Sequence, residues 1–446
     1  MRSGLSLEVD ERGQLAGAGT PPAGAAVETL RGRLLLPGLI NAHSHAFQRL
    51  LRGRAEYAAA GPQGDDFWSW RELMYRAASM LSPEDVFVAS RQAFLEMALQ
   101  GTTTVGEFHY LHHTPSGKPY ADRLELSRQV IRAAREVGLR ISLLRTGYAR
   151  AGYGKPENLG QRRFIDPSPD LFLDDVVQLR KAMRSDPGVV VGLAPHSVRA
   201  VPRAWLERLP GAVPAGIPLH IHVAEQPAEI AACQEEHGRR PVELLDEVGL
   251  LREGVTLVHA VHLDESEVKR IGASGATVCA CPSTERNLGD GVVRADDLGR
   301  ASVPICLGTD SHVSMDVLDE ARQMEGHLRL LRLRRAVLDP GTGDRAGLAV
   351  RLLKSATVRG AWSLGLEGAG ALEPRQSADL FTVDLGHPAL AGCSEESLLP
   401  ALVLGGAPGA VRDVAVGGAW IVRDGVHPLQ QDSGRAFAEL SRKVFR

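Results

Sequence analysis

At 446 residues, with 44% hydrophobic and 24% charged side chains, the chain can bury a sizeable core, and this composition excludes disordered and fibrous classes. A net charge of -3 without a long basic run gives no reason to expect a nucleic-acid or polyanion partner. The five cysteines (Cys233, Cys279, Cys281, Cys306, Cys393) form no disulfide framework, Glu8, Asp10 and Glu11 stand where a signal peptide needs an apolar core, and no apolar run approaches the ~18 residues of a membrane span, so a cytoplasmic protein with no membrane contact is expected.

In chain order, residues 5 to 33 are Gly-rich with short alternating stretches and read as antiparallel strands. Eight short apolar runs follow: Leu34–Ala42, Thr102–Phe108, Arg140–Thr146, Val189–Ala194, Ile217–Val223, Val255–Ala260, Ala276–Ala280 and Val303–Gly308. Amphipathic stretches such as Pro83–Gln100 and Ala121–Val137 lie between them, which predicts an α/β fold, a (β/α)8 TIM barrel. Long connections at residues 46 to 82 and 147 to 170 fall on the side where barrels build their sites. The leucines of Arg329 to Arg335 recur at helical spacing, so this stretch reads as a solvated helix face and not as an anion patch. From 370 to 430 short alternating stretches return, and both termini are expected to meet in a small β-sandwich domain (1–36 with 370–446) beside a barrel domain (37–369).

Chemistry-bearing residues recur at the predicted strand ends: His43 and His45, Glu107 and His109, His196, His222 and Glu225, His259, and Asp310. In a barrel all strand ends face one mouth, so residues far apart in sequence converge there. Core packing alone predicts no such series. His43, His45, His222 and Asp310 make a three-imidazole, one-carboxylate donor set suited to one divalent metal, Zn2+ or Fe2+, which would activate water near neutral pH. Glu225, three residues past His222, is assigned the proton shuttle, and His259 a hydrogen-bonding or electrostatic partner of the developing charge. A second metal bridged by a lysine carbamate needs a Lys at a central strand end. The nearest lysines, Lys155 and Lys181, fall in a loop and a helix, so a mononuclear site is expected. Cys279 and Cys281 read as small residues of a buried strand.

These stretches resemble the amidohydrolase superfamily, in its mononuclear deaminase branch, over essentially the whole chain. Matching segments include Pro37 to His45, His222-Val223-Ala224-Glu225, Val258 to Leu263, Cys281-Pro282-Ser283-Thr284 and Leu307 to Ser311, with Gly370 to Pro374 and Ala378-Asp379-Leu380 in the small β domain. Further segments, His45 to Arg49, Phe67 to Arg71, Glu107 to Tyr110, Ala194 to Arg199 and Ser283 to Gly291, look like those of the formimidoylglutamate deiminase family. That resemblance implies hydrolysis of N-formimino-L-glutamate to N-formyl-L-glutamate and ammonia in histidine degradation; in such a mechanism Asp310, a ligand that can also accept a hydrogen bond, is expected to help relay the second proton. It also implies a homodimer, and Gln48, Arg71, Tyr110, His196 and Arg199 as residues binding the glutamyl portion. The chemistry agrees, since a dicarboxylate needs cationic clamps and guanidinium forks fit carboxylates. A related deaminase acting on guanine, an adenosine derivative or another amidine or guanidino compound is the alternative. A catalytically inactive metal-holding protein would not need Glu225. One departure stands at the N-terminus, where the stretch before Leu5 is short for the family, so a trimmed sandwich or a late start is expected.

Overall fold

The computed structural model describes residues 6–19, 24–57, 67–155, 158–214, 216–366 and 368–446, so the stretch before Leu5 lies outside the described residues. The chain opens with an antiparallel pair, β1 (Leu7–Val9) and β2 (Leu15–Ala18), and then β3 (Arg33–Pro37). Eight parallel strands follow: β4 (Leu39–Ser44), β5 (Thr102–His109), β6 (Arg140–Gly147), β7 (Val189–Pro195), β8 (Leu219–Val223), β9 (Val255–His259), β10 (Thr277–Ala280) and β11 (Ile305–Leu307), each bonded to the next. The chain ends with β12 (Leu380–Asp384), β13 (Val411–Val416) and β14 (Ala419–Val422), which with β3 form a four-stranded antiparallel sheet. The architecture is therefore a TIM barrel with antiparallel sheets contributed by both terminal regions.

The first predicted strand needs correction. Leu34–Ala42 is not one strand: Leu34 to Leu36 pair with β12, while Leu39 onward pairs with β5. The break falls at Gly38, where the backbone presses so closely on Thr103 that a Cβ would lie 2.2 Å from its Oγ1. Only glycine lets the chain cross between the two sheets there.

Between the strands, helices form where caps and apolar spacing coincide. Ser82 and Asp85 make a reciprocal capping box ahead of helix Pro83–Leu99, with Pro83 in its first turn; such a cap contributes about 1 kcal/mol. This helix packs on helix Glu125–Val137 and on the last helix, Gln430–Val444, sheathing the β4–β5 side of the barrel. The Arg-rich stretch closes helix Val317–Arg332, with Leu330 and Leu333 77% and 90% exposed and Arg329 paired to Glu325. No helix among the described residues is long and apolar enough to cross a membrane.

Barrel closure has its own chemistry. β11 and β4 form no ladder; a single bridge joins Ser44 and Asp310, with His45 N donating to Asp310 O (3.1 Å) and Asp310 N to His43 O (3.0 Å). Behind the bridge lies a buried polar network. Asn41 donates to Thr309 Oγ1 (2.7 Å), Thr309 N donates back to Asn41 Oδ1 (3.0 Å), and His312 spans Thr309 Oγ1 (3.1 Å) and Ser44 Oγ (3.2 Å). Every buried polar group paired here avoids a desolvation penalty of about 1–3 kcal/mol. The seam thus fastens the two strands that carry His43, His45 and Asp310.

Candidate active site

His43, His45, His222 and Asp310 each offer one donor atom, and the four atoms lie within 4.8 Å of one another in a buried cluster. Asp310 Oδ1 is 3.4 Å from His43 Nε2 and 3.2 Å from His45 Nε2, while Nε2 of His222 is 3.2 Å from Nε2 of His43. The backbone sets two of the tautomers: His45 Nδ1 faces the Phe108 carbonyl at 2.8 Å and His222 Nδ1 the His196 carbonyl at 3.0 Å. A carbonyl only accepts, so each Nδ1 carries the proton and each Nε2 turns a lone pair toward the shared centre. Burial takes His43 down to about 3 and holds His222 well below the usual imidazole range, so both are neutral. For Asp310, burial raises the carboxyl, but contacts with His43 and His45 outweigh it and hold the group well below its ordinary value. Converged neutral imidazoles with one carboxylate fit a divalent metal ion.

The backbone around this cluster is strained. Ala224, His259, Ala260, Asp310 and His312 all have left-handed φ, from 45° to 72°, at about 1–3 kcal/mol each. At His259 the strain has a visible effect. Register places Val258 beside His222, so alternation alone would turn His259 away from the face His222 occupies. Its φ of 72° brings the ring back, with Nε2 3.6 Å from Glu225 Oε1 and 3.7 Å from Asp310 Oδ2, and Nδ1 3.3 Å from Glu285 Oε1. Burial lowers His259, but Glu225, Glu285 and Asp310 more than reverse this and raise it to about 10.

Beside the cluster is a narrow pocket of about 50 Å³ whose walls include Gln48, Arg71, Tyr110, His196, Arg199 and Glu225. Gln48 donates to the Tyr110 hydroxyl (2.6 Å). Arg199 is buried, and its Nε and Nη1 have no hydrogen-bond partner among the described residues. Among the described residues no lysine lines the pocket.

Residues 34–421 match the amidohydrolase family. The chain belongs to the amidohydrolase family. Among curated amidohydrolase relatives, formimidoylglutamate deiminase of Pseudomonas aeruginosa is 40% identical, the match covering 98% of this chain and 95% of that protein. A 5-methylthioadenosine/S-adenosylhomocysteine deaminase of Natronomonas pharaonis is 32% identical, over 95% of this chain and 89% of the relative. The crystal structure of an amidohydrolase from Brucella melitensis superposes with a TM-score of 0.91 at 34% identity, covering 99% of this chain and 96% of that one. The chain is accordingly a hydrolase acting on carbon–nitrogen bonds.

Two strand-end residues, Glu107 and His109, turn away from the barrel mouth. Phe108 and Tyr110 face inward from the end of β5, with the Phe108 ring 4.4 Å from that of His222. Glu107 and His109, of the opposite parity, turn outward: Glu107 accepts from Ser44 Oγ (2.6 Å) and Ala46 N (2.8 Å), and His109 packs edge-on against His112. Cys281 lies near His259 and Asp310, but burial pushes its thiol well above the usual range, so it stays a small neutral residue.

Sequence reasoning missed several pocket residues. Tyr75 sits four residues past Arg71 on helix Phe67–Met80, and Tyr148 immediately follows β6; helical spacing and the strand-end rule could have found them. Gln161 donates to both phenols, at 2.8 and 2.7 Å, and so ties the two walls together. Glu229, four residues past Glu225, accepts from the backbone N–H groups of Ala224 (3.1 Å) and Glu225 (3.3 Å). It holds the left-handed turn that aims Glu225. Glu229→Ala is expected to lower kcat about 10²-fold with bound metal unchanged, and Glu229→Gln, which keeps one acceptor oxygen, to fall between; steady-state kinetics with metal analysis checks this.

Proposed function

We propose that the chain hydrolyses N-formimino-L-glutamate to N-formyl-L-glutamate and ammonia, as a cytoplasmic, homodimeric enzyme of histidine degradation. The observation that carries this reading is the pairing of a metal-ligand cluster with a pocket walled by two guanidinium groups, Arg71 and Arg199, since a purine has no carboxylates for them to hold. The 40% identical relative named formimidoylglutamate deiminase supports it. More distant deaminase relatives keep the purine alternative testable.

His43, His45, His222 and Asp310 would hold one zinc or iron(II) ion, which when bound supplies Lewis-acid activation of water. Arg71 and Arg199, with Gln48, Tyr110 and His196, take the two carboxylates and fix the formimino carbon beside the cluster. Glu225 accepts a proton from the attacking water and returns it to the imino nitrogen, while His259 hydrogen-bonds the tetrahedral centre. Asp310 relays the second proton, the carbon–nitrogen bond breaks, and ammonia leaves.

Metal-loaded protein incubated with formiminoglutamate, guanine and adenosine should release ammonia from the first; release from the purines alone would overturn the assignment. Arg199→Met should lower kcat/KM for formiminoglutamate about 10²-fold and weaken glutarate inhibition in parallel, because charge-assisted hydrogen bonds contribute about 1.5–3 kcal/mol each.

A further inference from the structure

A second cavity, of about 510 Å³, opens at the opposite end of the barrel. Ser302, Val303 and Pro304, which lead into β11, form one wall, and Arg351, Lys354 and Arg359 another. Asp310 lies past the far end of the same strand, so this cavity is separate from the pocket already described.

The charge here is unbalanced. Elsewhere most arginines sit against carboxylates, even buried Arg145, which pairs with Asp166 and Asp175. Arg351, Lys354 and Arg359 make no ion pair among the described residues; Arg351 donates only to the Leu338 carbonyl (3.1 Å) and Arg359 to Ser355 Oγ (3.3 Å). Burial and the adjacent Arg351 together pull Arg359 below its ordinary value, as expected of cations crowded without a counter-charge. Among the described lining residues the one carboxylate, Asp344, accepts the Ala346 N–H (2.9 Å). Gly299 makes room for the cluster, since a Cβ there would lie 2.2 Å from Arg351 Nη2. No stretch of sequence shows this trio as a basic run, because the folded helix pair 347–363 brings the three cations together against the β11 approach.

We propose that this cavity binds a small organic polyanion, a metabolite bearing more than one phosphate or carboxylate group, between the Arg351 and Arg359 forks and the Lys354 ammonium. Two planar donors and one compact cation suit tetrahedral or planar oxyanions, and the volume admits a molecule well beyond a single inorganic ion.

To test this, the metal-loaded full-length protein is titrated at matched ionic strength with a hexose bisphosphate and with tricarballylate, the uncharged hexose serving as control, by calorimetry and thermal melting. One saturable site per chain and a rise in Tm of a few degrees are expected with at least one probe, the responding probe naming the phosphate or carboxylate class. Lys354→Glu, at an exposed position, and Arg359→Gln should each weaken that binding at least tenfold while leaving kcat/KM unchanged. Absence of saturable binding to either probe overturns the proposal. So does binding that survives both substitutions, or that competes with the acidic substrate and so belongs to Arg71 and Arg199.

Discussion

Replacing Glu225 with Gln is expected to lower kcat by about 10³-fold or more while metal content and KM stay close to those of the parent, because positioned proton transfer contributes roughly 10²–10⁴-fold. Gln preserves size and packing at this buried position but cannot accept the water proton. Glu225 does not belong to the four-donor group, so the cluster should load normally. Its backbone N–H remains bonded to Glu229 whatever the side chain, so the turn should persist. Ammonia release at saturating substrate, measured with metal analysis on the same sample, checks the prediction. Substantial turnover by the Gln variant would remove Glu225 from the proton-transfer step.

His222→Ala should abolish both metal retention and turnover, whereas His109→Asn should keep the metal. The sequence places both histidines at strand ends, yet their surroundings differ. His222 offers a lone pair fixed by the His196 carbonyl, 3.2 Å from His43 Nε2, and its removal leaves three donors around an unfilled corner. His109 faces outward against His112 and contributes nothing to the cluster, although its burial makes some loss of stability expected. Metal stoichiometry after dialysis, compared with melting temperature, separates loss of a ligand from loss of fold. A His109 variant that folds but loses its metal would contradict the inward and outward parity seen for β5.

Much of the barrel was legible because its signals are local. Alternating apolar runs and capped helices mark β5 to β11 and the helix after Ser82 without reference to the rest of the chain. The donor set was legible for a related reason: barrel topology sends every strand end to one mouth, so His43, His45, His222 and Asp310 could be grouped before any distance was known. Facing direction was harder. Alternation predicts which residues share a side of a strand, but not which side meets the core, and β5 presents Phe108 and Tyr110 where Glu107 and His109 also stood as candidates. Tyr75 and Tyr148 carry only the weak signals of helical spacing and strand-end position, and Gln161, on the second long connection, carries none. They become a wall only when helix Phe67–Met80 settles over the barrel mouth.

The sequence by itself therefore determined the fold class and the group of residues able to bind a metal, since both follow from residue type, spacing and barrel topology, while the acidic substrate was implied by a family resemblance with which Arg71 and Arg199 agree chemically. Tertiary structure alone decided the break at Gly38, the seam between β4 and β11, the left-handed φ that returns His259 to the mouth, and the gathering of Arg351, Lys354 and Arg359 around one cavity. These depend on close approach between segments far apart in the chain. Such contacts are set by packing and desolvation across the whole core, which no local pattern encodes.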